Sequence, residues 1–128
     1  MTTDTVTPNR PEAEIRATHS DTDIVLLDDS QIFADAFQFR FFRKKVCHFE
    51  DPRQFVAQHH NFSKNTVICI DYDFGLTVPV TGIEIAAQLH ALGFTRLYLV
   101  SGTYFDEADL PGYLTFIEKI NLKFFNVM

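Results

Sequence analysis

The feature that most constrains the fold is a set of short apolar runs, each followed by polar residues. The runs lie in the predicted strands 24–27, 66–70 and 97–100, and they are followed by Asp28, Asp71 and Ser101. Continuous apolar runs of this length are typical of strands buried on both faces of a parallel sheet. The chain is therefore predicted to be an α/β protein.

Helical patterns lie between the predicted strands. Apolar residues recur at helical spacing in residues 31–43, and Ser30 is suited to cap that helix. Asp51 and Pro52 open a second predicted helix that extends to about His60, and a third covers residues 82–92 before Gly93. The remaining predicted segments are strands at 46–49 and 113–118, and one or two helical turns within 104–112. This alternation predicts a parallel sheet with helices on both faces and right-handed crossovers.

The length of 128 residues is that of one domain of ordinary size. Residues 1–22 are rich in Thr, Asp, Glu and Pro, so we expect a flexible leader there and the folded domain in residues 23–128. The N-terminus lacks the apolar core of a signal peptide, and no stretch approaches the roughly 20 apolar residues of a membrane span. We therefore expect a cytoplasmic protein without membrane contact, in which Cys47 and Cys69 are reduced thiols.

Charge and aromatic content bear on the partners. The net charge is −6, from 11 basic and 17 acidic residues, whereas a nucleic-acid-binding protein normally has a broad basic face. Direct binding of nucleic acid is therefore not expected.

Among the 14 phenylalanines, Phe39 and Phe42 lie outside the apolar stripe of the first helix, and Phe124 and Phe125 lie in the tail. We expect this apolar surface to be buried in a homodimer, through the Phe-rich or the C-terminal surface, or against a kinase or output protein.

Polar side chains follow the predicted strands at the edge where α/β proteins bind ligands. They are Asp28 and Asp29 after the first strand, Asp71 and Asp73 after the third, Ser101 after the fourth and Lys119 after the fifth. Several carboxylates at one edge repel each other unless a cation lies between them, and oxygen ligands alone favour Mg²⁺. A hydroxyl and an ammonium could bind oxygens of a phosphoryl group centred on one carboxylate. Asp71 follows the central strand, which makes it the best candidate nucleophile.

These residues resemble the response-regulator receiver domains of two-component phosphorelays over about residues 24–119. The resemblance depends on Leu-Leu-Asp28-Asp29-Ser, Val-Ile-Cys-Ile-Asp71-Tyr-Asp73, Gly82-Ile-Glu-Ile, Leu-Val-Ser101-Gly102 and Lys119. It implies a flavodoxin-like (βα)5 three-layer α/β/α sandwich with strand order 2-1-3-4-5. It also implies that Asp71 is the phosphoacceptor, with a histidine kinase or histidine phosphotransfer protein as the donor.

The resemblance further implies a role for each residue of the group. Asp28, Asp29 and Asp71 would hold Mg²⁺ together with the main-chain carbonyl of Asp73. Ser101 would be the switch hydroxyl, Phe116 the aromatic switch and Lys119 the lysine that pairs with the phosphate. Such a domain catalyses its own phosphorylation and dephosphorylation, but it is not an enzyme in the ordinary sense, because the protein is itself the substrate.

Several departures from the family pattern leave alternatives open. The loop between Asp71 and Gly82 is longer than usual, and the fourth and fifth helical region is shortened. Ile120 follows Lys119 where the family has proline, so Lys123 is a second candidate for the phosphate-pairing lysine. A pseudo-receiver that binds partners constitutively, without phosphotransfer, is the main alternative. A phosphatase of the haloacid dehalogenase type is disfavoured, because its Asp-x-Asp motif follows the first strand rather than the third.

Overall fold

The computed structural model describes residues 21–120, which form one five-stranded sheet and its flanking helices. The strands are β1 (Ile24–Leu27), β2 (Val46–Phe49), β3 (Val67–Ile70), β4 (Leu97–Ser101) and β5 (Leu114–Glu118). The helices are α1 (Gln31–Arg40), α2 (Pro52–Ala57) and α3 (Gly82–Ala91), with 3-10 turns at His59–Asn61 and Glu107–Asp109. Every strand pair is parallel and the order is β2-β1-β3-β4-β5, which confirms the predicted flavodoxin-like fold.

The sheet has an apolar layer on each face, as the buried strand runs require. Residues alternate along β1, so that Ile24 and Leu26 pack on the α1 side while Val25 and Leu27 pack on the side of α2 and α3. On the α1 side the contact is made by Ala34, Phe37 and Phe41 of the helix and the turn after it. All four residues of β1 and all four of β3 are buried, which explains their uninterrupted apolar sequence.

Side-chain caps fix where the helices begin, and these beginnings agree with the sequence prediction. Ser30 Oγ accepts a hydrogen bond from Phe33 N at the start of α1. Asp51 caps α2, where Pro52 occupies the first turn. Thr81 and Glu84 form a reciprocal capping box at the start of α3.

The ends of two helices differ from the prediction. α1 ends at Arg40 rather than near Arg43, because Phe41 leaves the helical region and packs its ring into the core. α2 ends at Ala57 rather than near His60, and the chain continues through a 3-10 turn because Gln58 leaves helical geometry, with φ of −123° and ψ of 25°. Apolar periodicity continues past both ends, so it could not locate them.

The segment between β4 and β5 contains no α-helix. Its described residues include only the 3-10 turn Glu107–Asp109, which Asp106 caps by accepting from Ala108 N. Pro111 and Gly112 follow directly and interrupt helical geometry. The reduction predicted for the fourth helical region is therefore present.

Two predictions fall wholly or mainly beyond the described residues. Of the expected leader 1–22, only Asp21 and Thr22 are described: Asp21 Oδ1 lies 2.9 Å from Lys45 Nζ, and Thr22 is buried. The tail after Ile120, with Lys123, lies outside the described part. Within residues 21–120, no helix combines the length and the apolar composition that a membrane crossing requires.

Candidate functional site

The parallel register brings the residues after β1 and β3 side by side. Leu27 pairs with Ile70, so Asp28 and Asp71 leave neighbouring strands at the same level of the sheet. Asp71 N donates to Leu27 O at 2.8 Å, and Asp28 N donates to Phe49 O at 3.2 Å, which continues the ladder one step beyond the strands. The main chain of both aspartates is therefore held by the sheet.

Three carboxylates converge at this edge of the sheet. One oxygen from each of Asp28, Asp29 and Asp71 lies within 4.8 Å of the other two. Asp28 is 1% exposed and Asp71 is 9% exposed, whereas Asp29 is exposed to solvent. Two acids of the group are therefore buried, and the third faces solvent and forms its open side.

Asp28 is the most constrained of the three acids. Its Oδ1 accepts a hydrogen bond from Ser30 N at 2.8 Å, which joins it to the start of α1. Its Oδ2 is buried and accepts no hydrogen bond of good geometry from a described residue, although Lys119 Nζ lies 2.9 Å away. A buried carboxylate oxygen with unused lone pairs can accept a further positive ligand.

Asp71 has a strongly perturbed acidity. Burial raises its pKa from 3.8 to about 6, with the charges of Asp28 and Asp29 acting in the same direction. Lys119 and the hydrogen bond from Tyr72 N to Asp71 Oδ1, at 2.9 Å, lower the pKa and only partly offset the rise. In the absence of a further cation, crowding and burial thus disfavour the charged form of this carboxylate.

Lys119 follows β5 and extends its side chain to the acidic group. Its Nζ lies 2.9 Å from Asp28 Oδ2 and 3.6 Å from Asp71 Oδ1, and it stands 4.3 Å from the ring centre of Phe33. Among the described residues, Lys119 thus lies at the site, and the alternative, Lys123, lies outside them. The ammonium compensates part of the negative charge on the two buried acids.

Asp73 lies in the loop rather than in the carboxylate group. Its Oδ1 accepts from Gly75 N at 2.9 Å, and its main chain forms an isolated antiparallel bridge with Thr81. Gly75 has a φ of +90°, and a Cβ there would lie 3.3 Å from Asp29 Oδ2. The Asp73 side chain therefore shapes the loop beside Asp29, and the predicted ligand role of its carbonyl remains a prediction.

The two predicted switch residues lie on the β4 and β5 side of the edge. Ser101 is 3% exposed and its Oγ accepts from Thr103 N at 3.0 Å, so the hydroxyl is engaged with its own loop. Phe116 is half-buried and contacts the rings of Tyr104 and Phe105 at centroid distances of 5.7 and 5.9 Å. Phe116 N donates to Glu107 Oε2 at 3.2 Å, which ties β5 to the loop before it.

Sequence reasoning assigned no role at the site to three residues that support it. His48 Nε2 lies 2.7 Å from the main-chain oxygen of Asp28, Phe33 lies beneath Lys119, and Gly82 stands against the carbonyl of Asp71. A Cβ on Gly82 would overlap that carbonyl, so no other residue fits without a shift of the backbone. Only the end of β2, in parallel register with β1, could have pointed to His48.

The acidic group fits a hard divalent cation. Its donors are all carboxylate oxygens, two of the acids are buried, and Asp28 Oδ2 has unused hydrogen-bonding capacity. Mg²⁺ binds such oxygens and usually retains several waters, which the exposed side at Asp29 would admit. The residues therefore suit the cation expected from the sequence.

Comparison with known proteins gives structural likeness only. No family model matches the chain, and no curated protein matches its sequence. A response regulator receiver domain (CheY-like) from Methylobacillus flagellatus superposes with a TM-score of 0.58 and 17% identity, over 78% of this chain and 87% of that one. A chain described as the trimeric coiled coil of yeast Spc42 fused to another structure gives a TM-score of 0.62 and 12% identity, over 80% and 69%. The chain thus has the fold of a CheY-like receiver domain.

Proposed function

We propose that this chain is a receiver domain that accepts a phosphoryl group on Asp71 in a Mg²⁺-dependent phosphorelay. The observation that carries the proposal is the convergence of Asp28, Asp29 and Asp71 within 4.8 Å, with Lys119 Nζ 2.9 Å from one of the buried acids. The receiver-like fold supports it, because this edge of the sheet is where α/β proteins bind ligands.

Asp71 is the proposed nucleophile because of its surroundings. It follows the central strand β3, and a side chain added at Gly102 would meet no atom within 4 Å, so the space beside β4 is open. A carboxylate oxygen of Asp71 attacks the phosphorus of a phosphohistidine on the donor. The new O–P bond gives an acyl phosphate, the P–N bond breaks, and its electron pair stays on the imidazole, which takes a proton.

The proposed cation ligands are Asp28, Asp29 and Asp71 with the carbonyl of Asp73. Mg²⁺ held by these residues would supply positive charge that offsets the negative charge on the phosphoryl oxygens. Lys119 would change partner from Asp28 to a phosphoryl oxygen. A cation beside Asp71 also favours its charged form, which is the nucleophilic one.

Ser101 and Phe116 are the proposed elements of the response. The hydroxyl of Ser101 would leave Thr103 N and donate to the phosphoryl group, which would move the loop after β4. That loop carries Tyr104 and Phe105, both in ring contact with Phe116, so its movement changes the packing of the Phe116 ring. Phosphorylation would thereby shift the population between two arrangements of this face.

The proposed donor is a histidine kinase or a histidine phosphotransfer protein in the cytoplasm. The domain contributes phosphoryl-transfer and self-hydrolysis chemistry but turns over no separate substrate, so we do not class it as an enzyme. Its output would pass through protein contacts rather than through nucleic acid or membrane binding.

The direct test is intact-mass measurement after incubation with acetyl phosphate, with and without Mg²⁺. We expect one phosphoryl group on the native protein, none without the cation, and none on Asp71→Asn. The matched control is Asp73→Asn, in which the changed side chain belongs to the loop, so it should still gain the group. Phosphorylation of Asp71→Asn to the native extent would exclude Asp71 as the acceptor.

A constitutive interaction module is the second candidate function. The described chain has no α-helix between β4 and β5. Phosphorylation would therefore have no helix to displace in this segment, which favours a module that binds its partner constitutively. This candidate predicts no phosphoryl gain and no binding of beryllofluoride. Beryllofluoride binding that requires Mg²⁺ and Asp71 would exclude it.

A further inference from the structure

Helix α1 is apolar on two opposite sides. Ala34, Phe37 and Phe41 pack against the sheet, as in any amphipathic helix. On the far side Ile32 is 84% exposed and Phe39 is 81% exposed. Phe42, two residues after the last residue of the helix, is a further exposed apolar side chain, at 71%. A helix with apolar side chains on both sides is usually covered on both, and the described residues cover only one.

The outward residues have the spacing of a helix-pairing seam. Ile32, Ala36 and Phe39 are separated by four and three residues, so they form one stripe along α1 with a small exposed side chain at its centre. In coiled-coil terms Ile32 and Phe39 are d positions and Ala36 is an a position. A methyl group at the centre lets two helices approach closely, while the larger side chains at either end interlock.

The charges beside this stripe select the partner and its direction. Asp35 lies on one flank, at a g position, where its Oδ1 accepts from Gln31 Nε2 at 2.8 Å. Arg40 lies on the other flank, at an e position five residues later, with its guanidinium 4.7 Å from the Phe41 ring centre, so it must leave that ring to pair with a second copy. In a parallel pair of identical helices, a g residue of one copy faces the e residue that lies five positions later in the other copy. Asp35 of each copy therefore faces Arg40 of the other, and the two-fold symmetry gives two such pairs. In an antiparallel pair centred on Ala36, the two Asp35 flanks would face each other and repel.

We propose that the outward face of α1, formed by Ile32, Ala36, Phe39 and Phe42, is a homodimer interface in which two copies pair their α1 helices in parallel about a two-fold axis. The opposite charges at Asp35 and Arg40 make the face complementary to itself in that direction. This inference is independent of phosphoryl transfer, because none of these residues belongs to the acidic group.

The exposed apolar area of this face sets the expected affinity of the dimer. α1 has ten residues, a length of about 15 Å, and its three large apolar side chains expose roughly 400 Å² per copy. Two copies would bury about 800 Å² of this surface plus the charged rim, which is below the roughly 1,200–2,000 Å² of stable specific interfaces and in the range of weak, transient ones. The dimer should therefore be readily reversible, with a dissociation constant in the high micromolar range.

The test is sedimentation equilibrium of the full chain from low micromolar to several hundred micromolar protein. We expect a shift from monomer to dimer, weakened about tenfold or more by Phe39→Arg. The matched control is Leu76→Arg, which adds the same charge at a fully exposed apolar residue outside α1, and it should dimerise like the native chain. A native chain that remains monomeric throughout, or one that dimerises equally with Phe39→Arg, would overturn the proposal.

A charge exchange on one chain tests the parallel direction. Asp35→Arg and Arg40→Asp should each weaken dimerisation, because each puts like charges at both contacts of the parallel pair. The chain with both substitutions has the native net charge and opposite charges at both contacts, so its dimerisation should recover. In an antiparallel pair like charges would face each other in the native chain and in all three variants, so single variants that dimerise like the native chain, or a double variant as weak as either single one, would contradict the parallel pairing.

Discussion

Lys119 Nζ lies 2.9 Å from Asp28 Oδ2, so a side chain that follows the edge strand β5 compensates a carboxylate at the end of β1. Asp28 is almost completely buried, and Asp71 lies on the other side of the same ammonium at 3.6 Å. The pair joins two strands that are not neighbours in the sheet.

Lys119→Gln should destabilise the cation-free protein and strengthen its response to Mg²⁺. Loss of the ammonium leaves Asp28 buried without its counterion, at a cost of about 1–3 kcal/mol given that Lys119 is partly exposed. The added stability from Mg²⁺ should exceed that of the native chain, because no ammonium then competes with the cation. Urea unfolding with chelator and with Mg²⁺ measures both effects.

The matched control is Lys45→Gln, which breaks the exposed pair with Asp21. We expect a change of less than about 1 kcal/mol and no change in the Mg²⁺ response. Equal effects of the two lysine substitutions would show that the Lys119 pair has no special role.

Asp71→Asn should stabilise the protein in chelator at neutral pH but not in acid. The folded pKa of about 6 lies above the ordinary 3.8, so the folded state binds the proton more tightly than the unfolded state. The native chain thus loses stability as pH rises from about 4 to 6. Above pH 6 the whole loss in the free energy of unfolding is present, about 1–3 kcal/mol. Asparagine removes the titration, so the difference between variant and native should grow from pH 4 to pH 7.

Denaturant unfolding at several pH values measures this difference. Asp73→Asn serves as the control, because its carboxylate is exposed, and it should shift stability little at any pH. A stabilisation of Asp71→Asn that is independent of pH would contradict the proposed cause.

Gly82→Ala should destabilise the protein although alanine is the better helix former. A Cβ at Gly82 would overlap the carbonyl of Asp71, so either the start of α3 or the end of β3 must move. We expect a loss of about 1–3 kcal/mol, the usual range for overpacking. Urea unfolding measures the loss. Gly102→Ala is the control, because its new methyl group meets no atom within 4 Å. A loss of stability in Gly102→Ala as large as in Gly82→Ala would rule out the overlap as the cause.

His48 should matter for the position of Asp28. With the proton on Nε2, His48 donates to the main-chain oxygen of Asp28 at 2.7 Å, and His48→Leu leaves that oxygen without this donor. We expect a loss of about 1–3 kcal/mol in stability together with weaker Mg²⁺ binding. His48→Gln keeps a donor of similar reach and should recover part of both. Calorimetric titration with Mg²⁺ is the measurement, and identical behaviour of the two variants would contradict the positioning role.

The start of each main helix and the identity of the inner strands were readable from the sequence. Ser30, Asp51 and Thr81 cap their helices through bonds to residues only two or three positions away, so a local pattern contains all of that information. The continuous apolar runs of β1 and β3 likewise record burial on both faces. Placement of the acidic residues at one edge followed from parallel topology, because polar residues that follow parallel strands meet at the same end of the sheet.

Tertiary structure decided what depends on residues distant in the chain. Apolar periodicity continues to Arg43, but α1 ends at Arg40 because the Phe41 ring packs into the core. The same periodicity did place Phe39 and Phe42 outside the apolar stripe, and both are exposed, but the close packing of Phe37 and Phe41 against the sheet exists only in the folded chain. The approach of Lys119 to Asp28, the donor from His48 and the close fit of Gly82 against Asp71 each join separate segments. Local sequence determines backbone conformation through short-range bonds and sterics, whereas the charges and contacts of the site arise only when the strands come together.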